Sequence, residues 1–240
     1  MKNIIRIITI MPLIIIMTLM ADDNYKMPPK AIADLVDAPA TPGVSLSPNK
    51  KQLLILERSS LPSIEELSQT ELRLAGLRIN PATNGRSRTS YYTGILIQDI
   101  KTSKQKKVKG LPNGGRISNV TWAPNGNYIA LAITKGNQIN LYIVDVKKGR
   151  AKLLLKPALN AIYGTPFYWI SDSKGLIVKT ISDSRGAPPK KSPVPQGPVI
   201  QENQGSKAPA RTYQDLLTNS YDEELFEYYM NSQVMRVELN

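Results

Sequence analysis

The 240 residues contain no histidine and no cysteine. Without them no Ser-His-Asp or Cys-His constellation can be assembled from these residues alone. Thiolate and histidine-containing zinc sites, disulfides and thiol redox chemistry are excluded on the same ground. Aromatic residues are sparse too, at 6%, with two Trp and two Phe. The chain has no Gly-x-Ser-x-Gly elbow, since Gly43-Val44-Ser45-Leu46-Ser47 lacks the final glycine. It also has no Gly-x-Gly-x-x-Gly run and no phosphate-cradling Gly-Lys-Ser/Thr loop. No catalytic residue, metal ligand or cofactor-binding motif is therefore assigned.

What is present is ordinary globular material with an uneven charge. Hydrophobic residues make up 41% and charged residues 21%, and the net charge is +12. Residues 101–160 hold 12 basic groups and one acid, Asp145, whereas 201–240 hold seven acids and three basic groups. The lysines at 101, 104, 106, 107, 109, 147 and 148 interleave with turn residues. They read as solvated hairpin tips, and no nucleic-acid partner is expected.

The N-terminus has the layout of an export signal. Lys2 and Arg6 precede the apolar stretch Ile7–Met20, and a cut near Ala21 would release the remainder. Residues 1–21 are expected to be this signal, followed by a lead-in segment at 22–43. The product would be periplasmic or secreted. Left uncut, residues 4–20 would anchor the chain to a membrane.

A repeat organises the rest. Val120-Thr121-Trp122-Ala123-Pro124-Asn125-Gly126 reads as a strand and turn, and Tyr128–Ile133 as the returning strand. Superposing Trp169 on Trp122 gives an offset of 47, and Leu46-Ser47-Pro48-Asn49 falls in the same frame at an offset of 76. Farther along, Ile95-Leu96-Ile97-Gln98-Asp99 overlays Leu141-Tyr142-Ile143-Val144-Asp145 at an offset of 46. Units of four strands at this period are the signature of propeller blades. The fold class expected is all-β. Residues 44–240 would form a partial β-propeller of about two complete four-stranded blades plus an incomplete third. Ile129–Ile133 and Leu141–Val144 are apolar without alternation, as strands covered on both faces should be.

Two insertions interrupt the repeat, at 59–91 and 183–232, with helical parts expected near 62–76 and 212–232. The first begins with the capping box Ser63-Ile64-Glu65-Glu66, has Gly76 as an expected helix stop, and continues as a basic loop. Its arginines, Arg73, Arg78, Arg86 and Arg88, are the candidates for substrate recognition, because four guanidiniums in one loop suit an anion. The other assignment open to them is pairing with Glu65, Glu66, Glu71 or backbone carbonyls. In the second insertion Ser220-Tyr221-Asp222-Glu223 reads as another capping box, and Leu225, Phe226, Tyr228 and Tyr229 are expected to pack on the blades.

Several stretches resemble the glutamyl endopeptidase-type subgroup of the prolyl oligopeptidase clan of serine peptidases. They are Tyr25–Pro39 with Val44–Pro48, Leu74–Ile79 with Asn84–Arg88 and Tyr91–Ile95, and Ala208–Leu217. The resemblance implies a propeller that gates peptide access to a C-terminal α/β-hydrolase domain carrying Ser, Asp and His, with cleavage at acidic residues. That domain is missing from these residues, so the chain would be inactive alone. Peptide substrates and the missing domain are then its partners. A non-enzymatic exported binding protein of propeller type is the alternative reading.

Overall fold

The computed structural model describes residues 26–194, 197, 205 and 213–239. The expected signal segment lies outside them. Among the described residues no helix is long and apolar enough to cross a membrane. The chain divides into two compact units, 1–38 and 39–240. In the first, α1 (Lys30–Val36) buries no residue and carries an exposed Lys30–Asp34 ion pair of 2.7 Å.

The second unit is built from antiparallel sheets. Blade 1 joins β1 (Gly43–Leu46), β2 (Gln52–Glu57), β6 (Gly94–Asp99) and β7 (Gln105–Lys107) in that order. Blade 2 joins β8 (Arg116–Trp122), β9 (Tyr128–Lys135), β10 (Gln138–Asp145) and β11 (Arg150–Leu153). The third sheet holds β12 (Phe167–Trp169), β13 (Gly175–Thr180) and β14 (Gln233–Glu238), so it is one strand short of its neighbours. These sheets stack as a partial β-propeller.

The sequence repeat is a repeat of hydrogen bonds. At the first hairpin of the three sheets, the amides of Ser47, Ala123 and Ile170 donate to the carbonyls of Gln52, Tyr128 and Gly175. The side chains of Asn49, Asn125 and Asp172 accept from the amides of Lys51, Asn127 and Lys174 at 3.1, 2.9 and 2.9 Å. Lys50, Gly126 and Ser173 close the three turns with positive φ, at 57°, 73° and 62°. Each turn encloses four residues, a loop length built around a type I turn, and its third residue is left-handed. Glycine is required only at 126, where a Cβ would approach Asn49 Nδ2 to 2.6 Å. At the next boundary the equivalent Ser173 instead uses its hydroxyl to accept from the Asn125 amide at 3.0 Å.

The contact between blades repeats as well. Trp122 Nε1 donates to Ser45 Oγ at 3.1 Å, and Trp169 Nε1 donates to the Thr121 carbonyl at 3.3 Å. Ser45 and Thr121 are themselves 76 residues apart, so both indoles reach back to the same place on the preceding blade. Between the blades the two faces of β9 divide their labour. Ile129, Leu131 and Ile133 pack with Leu54, Leu56, Ile95 and Ile97 of blade 1. Ala130 and Ala132 pack with Phe167, Leu176 and Val178 of the third sheet. Small residues on one face and large on the other fill the two gaps, each fully buried Ile, Leu or Val contributing roughly 1.5–3 kcal/mol. The unstacked faces at either end of the array stay apolar and exposed: Val44 and Leu46 on blade 1, Tyr168 and Val234 on the third sheet.

The insertions differ from expectation in detail. The first has its short helix, α2 (Ile64–Leu67), with Ser63 Oγ accepting from the Glu66 amide at 3.2 Å. Gly76 does not stop a helix. Ala75 and Gly76 both take positive φ (50° and 74°) and form a tight hairpin, so 72–86 fold as a small sheet of β3 (Leu72–Leu74), β4 (Leu77–Asn80) and β5 (Gly85–Arg86). The second insertion contributes α3 (Ser220–Met230), shorter than 212–232, because Asn219 is its N-cap and its side chain accepts from the Asp222 amide. The α3 aromatics do not settle on the blades as expected. Leu225 and Tyr229 pack with Leu74 and Ile79 of the small sheet and with Ile162. Arg185, within the second insertion, lies 4.3 Å from the Tyr228 ring centroid and donates to Asn84 Oδ1 at 2.6 Å.

The shared hydrogen bond between blades generates a prediction. Trp122→Phe and Ser45→Ala should each cost about 1 kcal/mol, read from urea unfolding. The double variant should cost less than the sum of the two. Full additivity would show that the indole N–H makes no useful bond to Ser45.

Candidate functional site

A cleft of about 650 Å³ opens between the first insertion and the first strands of blades 1 and 2. Its volume lies in the range of ligand sites. One side is formed by Gly43 and Ser45 of β1 and by Ser118 and Asn119 of β8, where a bulge between Ser118 and Thr121 turns Asn119 to φ 49°. The other side is the insertion, contributing Glu66, Thr83 and the run Arg86–Tyr92. The small sheet is pinned over this position by Gly85, which bridges to Ala161 and would drive a Cβ to 2.6 Å from Ile139.

The structure separates the four arginines singled out in the sequence. Arg73 and Arg78 are directly opposed across β3 and β4, a like-charge pairing that repels unless something neutralises it. Glu71 does so. Its side chain is 9% exposed, and its carboxylate takes Arg73 Nε at 3.4 Å, Arg78 Nη1 at 3.5 Å and Arg88 Nε at 3.4 Å. Ser87 Oγ adds a hydrogen bond of 2.7 Å. That bond, aided by Arg88, Arg78 and Arg73 and opposed by burial, holds the Glu71 pKa below its ordinary 4.5. The fourth, Arg86, is exposed on β5, lines the cleft and has no acidic partner among the described residues.

Two further cleft residues, Arg116 and Tyr91, were not singled out in the sequence, and a third, Glu66, was named there only as a possible partner of the insertion's arginines. Arg116, at the start of β8, lies 5.8 Å from the Tyr91 ring centroid. Its Nη1 stands 4.0 Å from Glu66 Oε2, a long ion pair, and this largely buried oxygen makes no hydrogen bond among the described residues. Burial, reinforced by the neighbouring Glu66 carboxylate, raises the Tyr91 pKa above 10.0. Glu66 had been legible as part of a capping box and as a possible partner of the insertion's own arginines, and Arg116 only as one cation in a basic block. No spacing rule joins residues 50 apart in sequence. Among the described residues no group of three or more metal-ligating side chains converges. The site is equipped to bind an anion, and its groups offer no nucleophile with a histidine base.

A partial propeller with a capped, arginine-bearing cleft is the class of structure these elements define. Comparison with known proteins then gives the particular relationship. A rice protein named "Probable glutamyl endopeptidase, chloroplastic" (Oryza sativa subsp. japonica) is 43% identical over 226 residues, covering 88% of this chain and 24% of that protein. Its Arabidopsis thaliana namesake is 41% identical over 230 residues, 90% of this chain and 24% of that one. Over this region the chain is a relative of the glutamyl endopeptidases, as the resemblance in sequence implied, and it spans about a quarter of the length of these curated relatives. No protein-family profile matches. Among solved structures, the tricorn protease aligns with 65% of this chain and 12% of that one at 13% identity and TM-score 0.38. The acylaminoacyl peptidase of Pyrococcus horikoshii aligns with 55% and 16% at 16% identity and TM-score 0.32.

The Glu71 cluster makes stability depend on pH with a definite sign. Because the folded pKa is depressed, the stabilisation is complete above the unfolded value, near 4.5, and is lost as the pH falls through the lower folded value. Glu71→Gln should therefore lower the thermal midpoint at pH 7, and the gap to the parent chain should narrow below pH 4.5. A gap that stays constant from pH 7 to pH 3 would show that the carboxylate charge is not what the arginines hold.

Proposed function

We propose that this chain is the substrate-gating propeller portion of an exported serine peptidase that cleaves peptides near acidic residues. The observation that carries the reading is the 43% identity to a protein named as a glutamyl endopeptidase over 88% of the chain. The relatives continue well beyond the matched quarter, which is where an α/β-hydrolase segment would supply the Ser nucleophile and His base of an acyl-enzyme route. A stack of blades with a side insertion suits the task of admitting peptides while excluding folded proteins. Export through residues 1–21 and a domain layout of 22–43 followed by 44–240 belong to the same reading. On this account the 240 residues alone, having no histidine, hydrolyse nothing by that route.

The intact mass of the native protein tests it. A mass well above 26.6 kDa, with hydrolysis of acidic peptides lost on replacing one serine beyond Asn240, supports the reading. A native product no heavier than 26.6 kDa overturns it.

In the longer protein, reversing charge with Arg86→Glu should lower kcat/KM for acidic peptides about tenfold, the scale of one charge-assisted hydrogen bond. Neutral peptides should be cleaved as before. An equal loss on both classes would remove the recognition role of this arginine.

A further inference from the structure

The four arginines of the insertion have unlike partners. Arg73, Arg78 and Arg88 are committed to Glu71. Two other guanidiniums line the same cleft with unmet hydrogen-bonding capacity. Arg86, from the insertion, makes neither a hydrogen bond nor an ion pair among the described residues. Arg116, from blade 2, is three-quarters buried and held against the Tyr91 ring, and it too makes no hydrogen bond among them. Its acidic neighbour Glu66 stands at 4.0 Å, close enough to steady the charge and too far to saturate the donors. Each guanidinium carries five N–H donors in a planar fork that matches the two oxygens of a carboxylate. A partly buried fork without acceptors is costly, and a bound anion removes that cost.

We propose that Arg86 and Arg116 together form a carboxylate-binding subsite in this cleft, which takes the acidic side chain of a peptide. Arg73, Arg78 and Arg88 instead hold the insertion in shape through Glu71. Arg116 binds on this assignment, and Glu66 positions it. The subsite spans two elements, the insertion and the first strand of blade 2, so it exists only while the insertion is docked over the blades. The proposal rests on the peptide-gating reading and adds to it the residues that would recognise the acid.

The test uses the chain with two blocked tripeptides, acetyl-Ala-Glu-Ala-amide and its Gln counterpart, and titration calorimetry. The Glu peptide should bind at least about fivefold more tightly, as a charge-assisted pair would give. Arg86→Gln and Arg116→Gln should each abolish that preference, while Lys156→Gln, which removes an exposed cation outside the cleft, should leave it. Arg86 is exposed and unpaired, so Arg86→Gln cannot act by unfolding the chain. Arg116→Lys, which keeps the charge and loses the fork, should retain part of the preference. Equal binding of the two peptides, no binding of either, or loss of the preference in Lys156→Gln overturns the assignment. If the longer protein still cleaves acidic peptides selectively with Arg86→Gln and Arg116→Gln in place, the peptidase reading stands and this subsite falls. If it cleaves no peptide while the chain still prefers the Glu tripeptide, the subsite stands and the peptidase reading falls.

Discussion

The constraint on which everything else depends is that blade 2 is apolar on both faces. A four-stranded antiparallel sheet usually buries one face and wets the other. Here blade 2 cannot do so: Ile129, Leu131 and Ile133 point one way, Ala130 and Ala132 the other, and all five are buried. The only way to cover both faces with short connections is to stack further sheets on either side. Blade 1 and the third sheet meet that demand; the hairpin turn recurs in all three sheets and an indole donor at both boundaries, because each boundary has to solve the same packing problem.

The insertions follow from the same geometry. Because the blades are linked by short segments, the chain can lengthen only within a blade. It does so between β2 and β6 and again between β13 and β14. These two excursions bury Leu74, Ile79, Leu225 and Tyr229 in a small core of their own, joined by Ile162 from the link before β12. Asn160, next to that link, donates to the carbonyls of Tyr229 and Asn231 at 2.8 and 3.0 Å, groups that the end of α3 would otherwise leave unsatisfied. The cleft is what remains between that small core and the blades. Its charge is set by how one carboxylate, Glu71, is shared among three guanidiniums while Arg86 and Arg116 stay outside the arrangement.

Much of the stacked array was legible in the sequence, because repetition is. The 47- and 76-residue offsets predicted the turns that now carry Lys50, Gly126 and Ser173 at positive φ, and the third blade was expected to be incomplete, as the three-stranded third sheet is. The insertion was harder to read for a physical reason. Ala75-Gly76 makes a hairpin through positive φ at an alanine, a conformation that composition does not advertise, so strands β3–β5 were read as loop and helix end. The fate of the arginines was open for a related reason. Pairing with Glu71 had been one of the two assignments, but only the β3–β4 register brings Arg73 and Arg78 together beside that carboxylate. The contacts of Arg116 with Glu66 and Tyr91 join segments that share no pattern at all. Long-range electrostatics leaves no periodic trace, whereas packing does.

Hydrogen exchange followed strand by strand tests the stacking account most directly. Covered on both faces, blade 2 should hold the slowest amides, those of β9 and β10, while the equally central strands β2 and β6 of blade 1 and β13 of the third sheet, each with one open face, should exchange faster. Equal protection of the central strands in all three sheets would contradict the account, since burial on the second face would then contribute nothing to local stability.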